Sequence, residues 1–186
     1  MYGIVNQAVK DLVVANFGEE KWQQVLDKSG VEVSSFVFSQ SYPDKITYDL
    51  AIAASEVLGM SLKDVLIAFG EWWVMDTAHK KYGYLLKSGG DNLKQFLLYL
   101  PRFHSSVEFI YPDLKPPEFE VEEFGETQVE LHYFSDRPGL TWFVYGLIQG
   151  LGKLYQVETS IEITNTKDQG HDHDVFMISW EAVMAQ

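Results

Sequence analysis

Residues 112–136 read PDLKPPEFEVEEFGETQVELHYFSD, and this is where a helical chain turns into a sheet. Apolar residues change from helical spacing to strand-like runs, which predicts two strands, Glu118–Phe124 and Gln128–Phe134. Gly125-Glu126 lies between them as the turn of a hairpin. At its far end the segment runs into Tyr133-x-Ser135-x-Arg137. Side chains two apart on a strand share a face, so a phenol, a hydroxyl and a guanidinium would project together. Such a row suits an anion.

Upstream of Pro112 the pattern is helical. Ile4, Val5, Ala8, Val9, Leu12, Val13 and Val14 are helically spaced before Gly18, and a second helix covers about Glu19–Lys28. Residues 31–46 read as loop, and Thr47–Leu58 as a helix closed by Gly59. Ser61 and Asp64 start a helix expected to reach about Lys80. Gly83 and Ser88-Gly89-Gly90 then bracket a short turn, and Asp91 is expected to cap a long helix to about Tyr111, kinked at Pro101. Downstream, Leu140–Tyr155 is a helix, and Glu158–Thr164 and Asp174–Trp180 are strands. Helices first, then a four-stranded antiparallel sheet with one inserted helix, make an α+β domain.

The 186 residues suffice for one good-sized core, and 46% hydrophobic and 15% aromatic residues can fill it. Against 27 acidic residues stand only 14 Lys and Arg, giving a net charge of −13 with no basic cluster. That argues against nucleic acid and against docking on anionic lipid. The absence of Cys removes disulfides, thiolate catalysis and the common zinc-finger, iron–sulfur and c-type haem frameworks. The N-terminus lacks the pattern of a signal peptide, and no segment has about 20 consecutive apolar residues. A soluble, cytoplasmic protein is expected.

His104 shares a helix face with Leu93, Leu97, Leu100, Val107 and Tyr111. A lone histidine on such a face is more often a hydrogen-bonded core residue than a metal ligand. An exposed strand face with Arg137 paired to an acid likewise explains the Tyr–Ser–Arg row better on spacing alone. Together, however, an imidazole in an apolar pocket and a separate carboxylate clamp are what a non-covalent haem with two propionates requires.

MYGIVNQAVKDLVV, TYDLAIAASEVLGMSLKDVLIAFG, His104, YPDLKPP and the Tyr133-x-Ser135-x-Arg137 row occur in the order seen in H-NOX domains. These are haem–nitric oxide/oxygen-binding sensors related to the haem domain of the soluble guanylate cyclase beta subunit, and the resemblance covers essentially the whole chain. It implies a single domain over 1–186, with a helical distal part at 1–60 and a proximal α/β part at 61–186. Haem b would lie between them, non-covalently bound. It implies His104 as the iron ligand and Tyr133, Ser135 and Arg137 as the propionate site. Pro117 resembles the proline that presses on the porphyrin, and Ile4 the residue packed on its distal side.

Oxygen-binding members of that family carry a distal tyrosine. Aligning on Gly146-Leu147-Ile148 puts Phe143 in its place, with Trp142 just before it and Tyr145 pointing elsewhere. The indole of Trp73 is the other candidate donor. The resemblance therefore implies a sensor for NO and CO that excludes oxygen, and not an enzyme. With no output domain after residue 186, a separate partner such as a histidine kinase or a cyclic-nucleotide enzyme is expected. Two rivals remain at this point: a metal-dependent hydrolase built on His171, His173 and Asp174, and a haem-free protein-interaction domain.

Overall fold

The computed structural model describes residues 1–33, 35–110 and 115–182. Helices α1 (Gly3–Phe17), α2 (Glu19–Ser29) and α3 (Asp44–Leu58) come first. Gly30 and Gly59 end α2 and α3 in the left-handed conformation, at φ 66° each, where a side chain would be strained. α3 starts three residues before the expected Thr47. Pro43 holds the cap position, and the Asp44 carboxylate suits the positive end of the helix.

α4 (Leu62–Trp72) begins as expected, with Ser61 Oγ accepting from Asp64 N at 3.1 Å. It does not run straight to Lys80. A π-helical segment, Trp73–Ala78, intervenes before α5 (His79–Ser88), so residues read as a turn are helical and Tyr82 absorbs a kink at φ −127°, ψ 20°. α6 (Leu93–Ile110) contains Pro101. Its cap is Asn92 rather than Asp91: Asn92 Oδ1 accepts from Gln95 N at 2.9 Å, while Gln95 Oε1 accepts from Asp91 N at 2.8 Å. Tyr111 and the rest of the YPDL stretch, 111–114, lie outside the described residues.

Strands β1 (Glu118–Glu123), β2 (Gln128–Phe134), β3 (Val157–Asn165) and β4 (Asp174–Ala182) form one antiparallel sheet in the order β1-β2-β4-β3. α7 (Thr141–Leu154) is inserted between β2 and β3. The expected α+β architecture is therefore present.

One apolar cluster joins α1, α2, α3 and α4 through residues such as Val13, Trp22, Leu50 and Phe69. A second joins α6, α7 and the sheet through Leu97, Ile148, Leu131 and Phe176. Trp73 packs against both. α4 and α7 cross backbone to backbone at two glycines. A Cβ on Gly70 would sit 2.2 Å from the Phe143 carbonyl oxygen, and one on Gly146 2.1 Å from that of Ile67. This close crossing sets Phe69 and Phe143 ring to ring, centroids 4.8 Å apart, at the boundary of the two clusters.

Candidate functional site

A cavity of about 430 Å³ opens between the two clusters. Ile4, Trp73, His104, Pro117, Tyr133, Ser135, Arg137 and Phe143 all line it, so side chains up to 139 positions apart in sequence converge (143 − 4). Its walls are otherwise mainly apolar, from Val5 and Phe38 in the N-terminal region to Leu97, Leu100 and Phe103 on α6. A large apolar cavity with few converging polar groups is the usual form of a cofactor site.

α6 delivers His104. Leu93, Leu97 and Leu100 are buried on the same face, and His104 follows one turn later. Its ring sits against Phe103 and Phe119, with centroids 5.4 and 4.6 Å away. His104 Nδ1 lies 3.1 Å from the Leu100 carbonyl oxygen. A carbonyl only accepts, so Nδ1 carries the hydrogen and Nε2 keeps a lone pair. Burial pushes the imidazole down to about 4, against a smaller upward pull from that carbonyl. A neutral, oriented imidazole facing a cavity is what a metal-ligating histidine must be.

The polar row differs in detail from the predicted strand face. β2 stops at Phe134, so only Tyr133 stands on a strand, while Ser135 and Arg137 lie in the bend beyond it. The bend folds on itself, with Ser135 Oγ accepting from Arg137 N at 3.1 Å. Tyr133 is buried; burial pushes its phenol up, and a hydrogen bond with Ser135 pulls the other way.

Arg137 also has partners invisible in its local sequence. Its Nε donates to Asp44 Oδ2 at 2.8 Å, and Nη1 donates to the Lys115 carbonyl oxygen at 2.7 Å. The second Asp44 oxygen takes the α-amino group of Met1. Burial alone would raise the Asp44 carboxyl, but the amine and the guanidinium together hold it below the usual range. Arg137, itself on the cavity wall, thus ties α3 to the loop that carries Pro117.

On the other wall, Phe143 lines the cavity while Trp142 lies outside it, under the Lys63 ammonium at 3.7 Å from the ring centroid. Tyr145 packs against Trp142 with the rings tilted by 56° and 5.5 Å apart, and is not among the lining residues. Trp73 packs edge-on to Phe69, at 6.4 Å. Tyr2, Tyr82, Tyr84 and Phe38 also line the cavity, and sequence spacing gave no sign of them.

His171, His173 and Asp174 do not converge. Asp174 is buried, accepting from Thr141 Oγ1 at 2.5 Å and Lys167 N at 2.8 Å, while His171 is exposed. Among the described residues, no group of three or more His, Cys, Asp or Glu is placed to hold a metal. The hydrolase lacks its centre.

Residues 2–163 match the family described as Haem-NO-binding, HNOB. The chain belongs to the haem-NO-binding family. Domains of this family are haem-binding gas sensors, so this one is a sensor domain and not a catalytic unit. It is 28% identical to soluble guanylate cyclase gcy-32 of Caenorhabditis elegans over 96% of its own length and 28% of that protein's. With soluble guanylate cyclase 89Db of Drosophila melanogaster it shares 27% identity over 82% of the chain and 23% of that protein. The chain thus spans about a quarter of the length of the curated relatives it matches.

An H-NOX protein from S. oneidensis in the Fe(II)NO state superposes with a TM-score of 0.87 at 22% identity, covering 97% of this chain and 99% of that one. The Fe(II) unliganded H-NOX protein from K. algicida gives 0.85 at 23%, covering all of both chains (100% each). Those structures share the H-NOX fold. The cavity residues suit the family's cofactor: an imidazole with an available nitrogen, an apolar enclosure, and a cluster of donors fit for carboxylates. Among the described residues no helix is long and apolar enough to cross a membrane.

Proposed function

We propose that this domain binds nitric oxide and carbon monoxide at a ferrous haem b ligated by His104, discriminates against dioxygen, and signals to a separate protein. The observation that carries the reading is the convergence of all eight candidate residues on one cavity. When bound, the haem supplies the iron to which a diatomic ligand attaches. With no Cys for thioether links, it is held non-covalently.

The chain's own residues then divide the work. His104 offers Nε2, oriented by the Leu100 carbonyl. Tyr133, Ser135 and Arg137 supply hydrogen bonds and charge for two carboxylates. Pro117 and Ile4, which both line the cavity, would pack against the cofactor. Phe143, backed by Phe69, would present no donor to a bound ligand, which leaves NO and CO with what they need and dioxygen without a hydrogen bond from this position.

A ligand that altered the hold on His104 would shift α6 and the Pro117 loop relative to the helical part, 1–60 against 61–186. Arg137 spans that division through Asp44 and the Lys115 carbonyl, so its contacts are placed to register the shift. The receiver would be a histidine kinase or a cyclic-nucleotide enzyme; relatives named as soluble guanylate cyclases, matched over 28% of their length, favour a cyclic-nucleotide output without bearing on whether it is a separate protein.

Visible spectra of the purified protein test the reading. The ferrous protein should give distinct Soret shifts with NO and with CO, and no stable new spectrum in air. A preparation that takes up no haem sinks the proposal.

The clamp is tested by haem loss. Arg137→Ala removes a charged donor worth roughly 1.5–3 kcal/mol, so haem transfer to an acceptor should speed up about 10- to 150-fold, and more than in Ser135→Ala. Asp44→Asn removes the competing carboxylate, keeps the guanidinium and should retain haem. Equal loss rates for Arg137→Ala and the unmutated protein would rule out a propionate contact there.

A further inference from the structure

Asp174 is a carboxylate only 3% exposed, and the haem site as described so far gives it no part. A buried carboxylate is costly unless hydrogen bonds meet its charge. Here Oδ2 accepts from Thr141 Oγ1 at 2.5 Å and Oδ1 from Lys167 N at 2.8 Å. Both bonds lead to the cavity.

Thr141 is the first residue of α7, and Leu140, Phe143 and Val144 around it line the cavity. The first N–H groups of a helix have no partner within it, and Leu140 at the cap position offers no side-chain acceptor. The Asp174 carboxylate instead holds the Thr141 hydroxyl and brings negative charge to the positive end of α7. Lys167 leads the other way, its Nζ donating to the Ser135 carbonyl oxygen at 2.8 Å. Asp174 is also the cross-strand partner of Tyr133. Burial keeps that phenol protonated, and the Asp174 charge adds to the effect. One carboxylate thus fastens the wall that carries Phe143 to the strand and bend that carry Tyr133 and Ser135.

We propose that Asp174 is a positioning residue, a role that rests on the haem reading above: by fixing the first turn of α7 through Thr141, it holds Phe143 in the cavity wall and limits how fast a diatomic ligand enters. Without that bond the uncapped turn frays, Phe143 moves with it, and the wall opens.

Three measurements on the haem-loaded, CO-bound protein test this: CO rebinding after flash photolysis, the width of the Fe–CO stretching band, and amide hydrogen exchange at Val144. That amide donates to the Leu140 carbonyl oxygen at 3.0 Å and closes the first turn. In Asp174→Ala and in Thr141→Val, rebinding and exchange should each quicken on the order of tenfold, the factor carried by one hydrogen bond to a charged group, and the band should broaden. Thr141→Ser keeps the hydroxyl and should match the unmutated protein. Combining the first two changes should do no more than either alone, as expected of partners in one contact. Asp172→Asn is the control. Asp172 Oδ1 accepts from His173 Nδ1 at 2.7 Å, and His173 Nε2 accepts from His132 Nδ1 at 2.8 Å, on the face of β2 opposite Tyr133, so its rates should not change.

Circular dichroism and the Soret band report folding and haem uptake. If Asp174→Ala and Thr141→Val do not fold, Asp174→Asn decides: its amide can donate to Thr141 Oγ1 but removes the charge at the head of α7, and a smaller acceleration is expected. An unchanged or slower rate in the folded, haem-loaded variants, a lowered Tm with rate and band unmoved, or full additivity of the two changes overturns the role of Asp174 and leaves the haem reading standing. Failure of the unmutated protein to take up haem sinks both.

Discussion

His104→Gly is expected to fold, to lose protein-ligated haem, and to recover a five-coordinate ferrous spectrum when imidazole is added. Glycine opens a space the size of the lost ring between Phe103 and Phe119, which flank it. Free imidazole can occupy that space and reach the Leu100 carbonyl as the side chain did. The haem should then sit in the same cavity, because the donors at Tyr133, Ser135 and Arg137 are untouched. A ferrous spectrum unchanged by the substitution, before any imidazole, would remove His104 from the site.

The same variant should change the acid response of haem-free protein. In the fold His104 protonates only at about pH 4, because burial disfavours the charged ring. In the unfolded chain it protonates near 6.5. Between those values the unfolded state binds the extra proton, so stability is full above about 6.5 and falls as pH drops toward 4. At 1.36 kcal/mol per pH unit the loss approaches about 3 kcal/mol. His104→Gly should lack this component, seen as a shallower fall of the urea midpoint between pH 7 and 4. An identical fall in both proteins would mean that His104 is not buried neutral.

The division between what was legible in sequence and what was not follows the range of the interactions. α6 and its histidine face follow from local periodicity, since Leu93, Leu97 and Leu100 need only their own helix to be aligned. The β1–β2 hairpin follows from residues within about one turn of each other. The π segment at Trp73–Ala78 carries no such local mark, and neither does the kink at Tyr82 that follows it. Asp44 is the clearest case of a long-range partner. Beside Pro43 it reads only as a helix-starting acid, yet 93 positions separate it from the arginine it holds. The His132–His173 contact, 41 positions apart, depends in the same way on the β2–β4 register.

Phe143→Tyr is expected to give measurable oxygen binding to a protein that otherwise shows none in air. Phe143 lines the cavity at the α4–α7 crossing, where Gly70 and Gly146 hold the two backbones in contact and leave little room for the helix to rotate away. A phenol at this position keeps the ring contact with Phe69, at 4.8 Å, and adds one O–H donor. A hydrogen bond to a partly charged ligand contributes roughly 1.5–3 kcal/mol. At about 1.4 kcal/mol per tenfold, oxygen affinity should rise by roughly one to two orders of magnitude. Affinity for CO should change far less, because it develops little charge to receive the bond. Comparing the two ligands therefore separates a hydrogen bond from altered access, which would move both together. Trp73→Phe and Tyr2→Phe, each made in the Phe143→Tyr background, remove two further ring donors from the cavity wall and should preserve the gain. Stable oxygen binding by the unmutated protein, abolished by either of these changes, would shift selectivity from Phe143 to that residue.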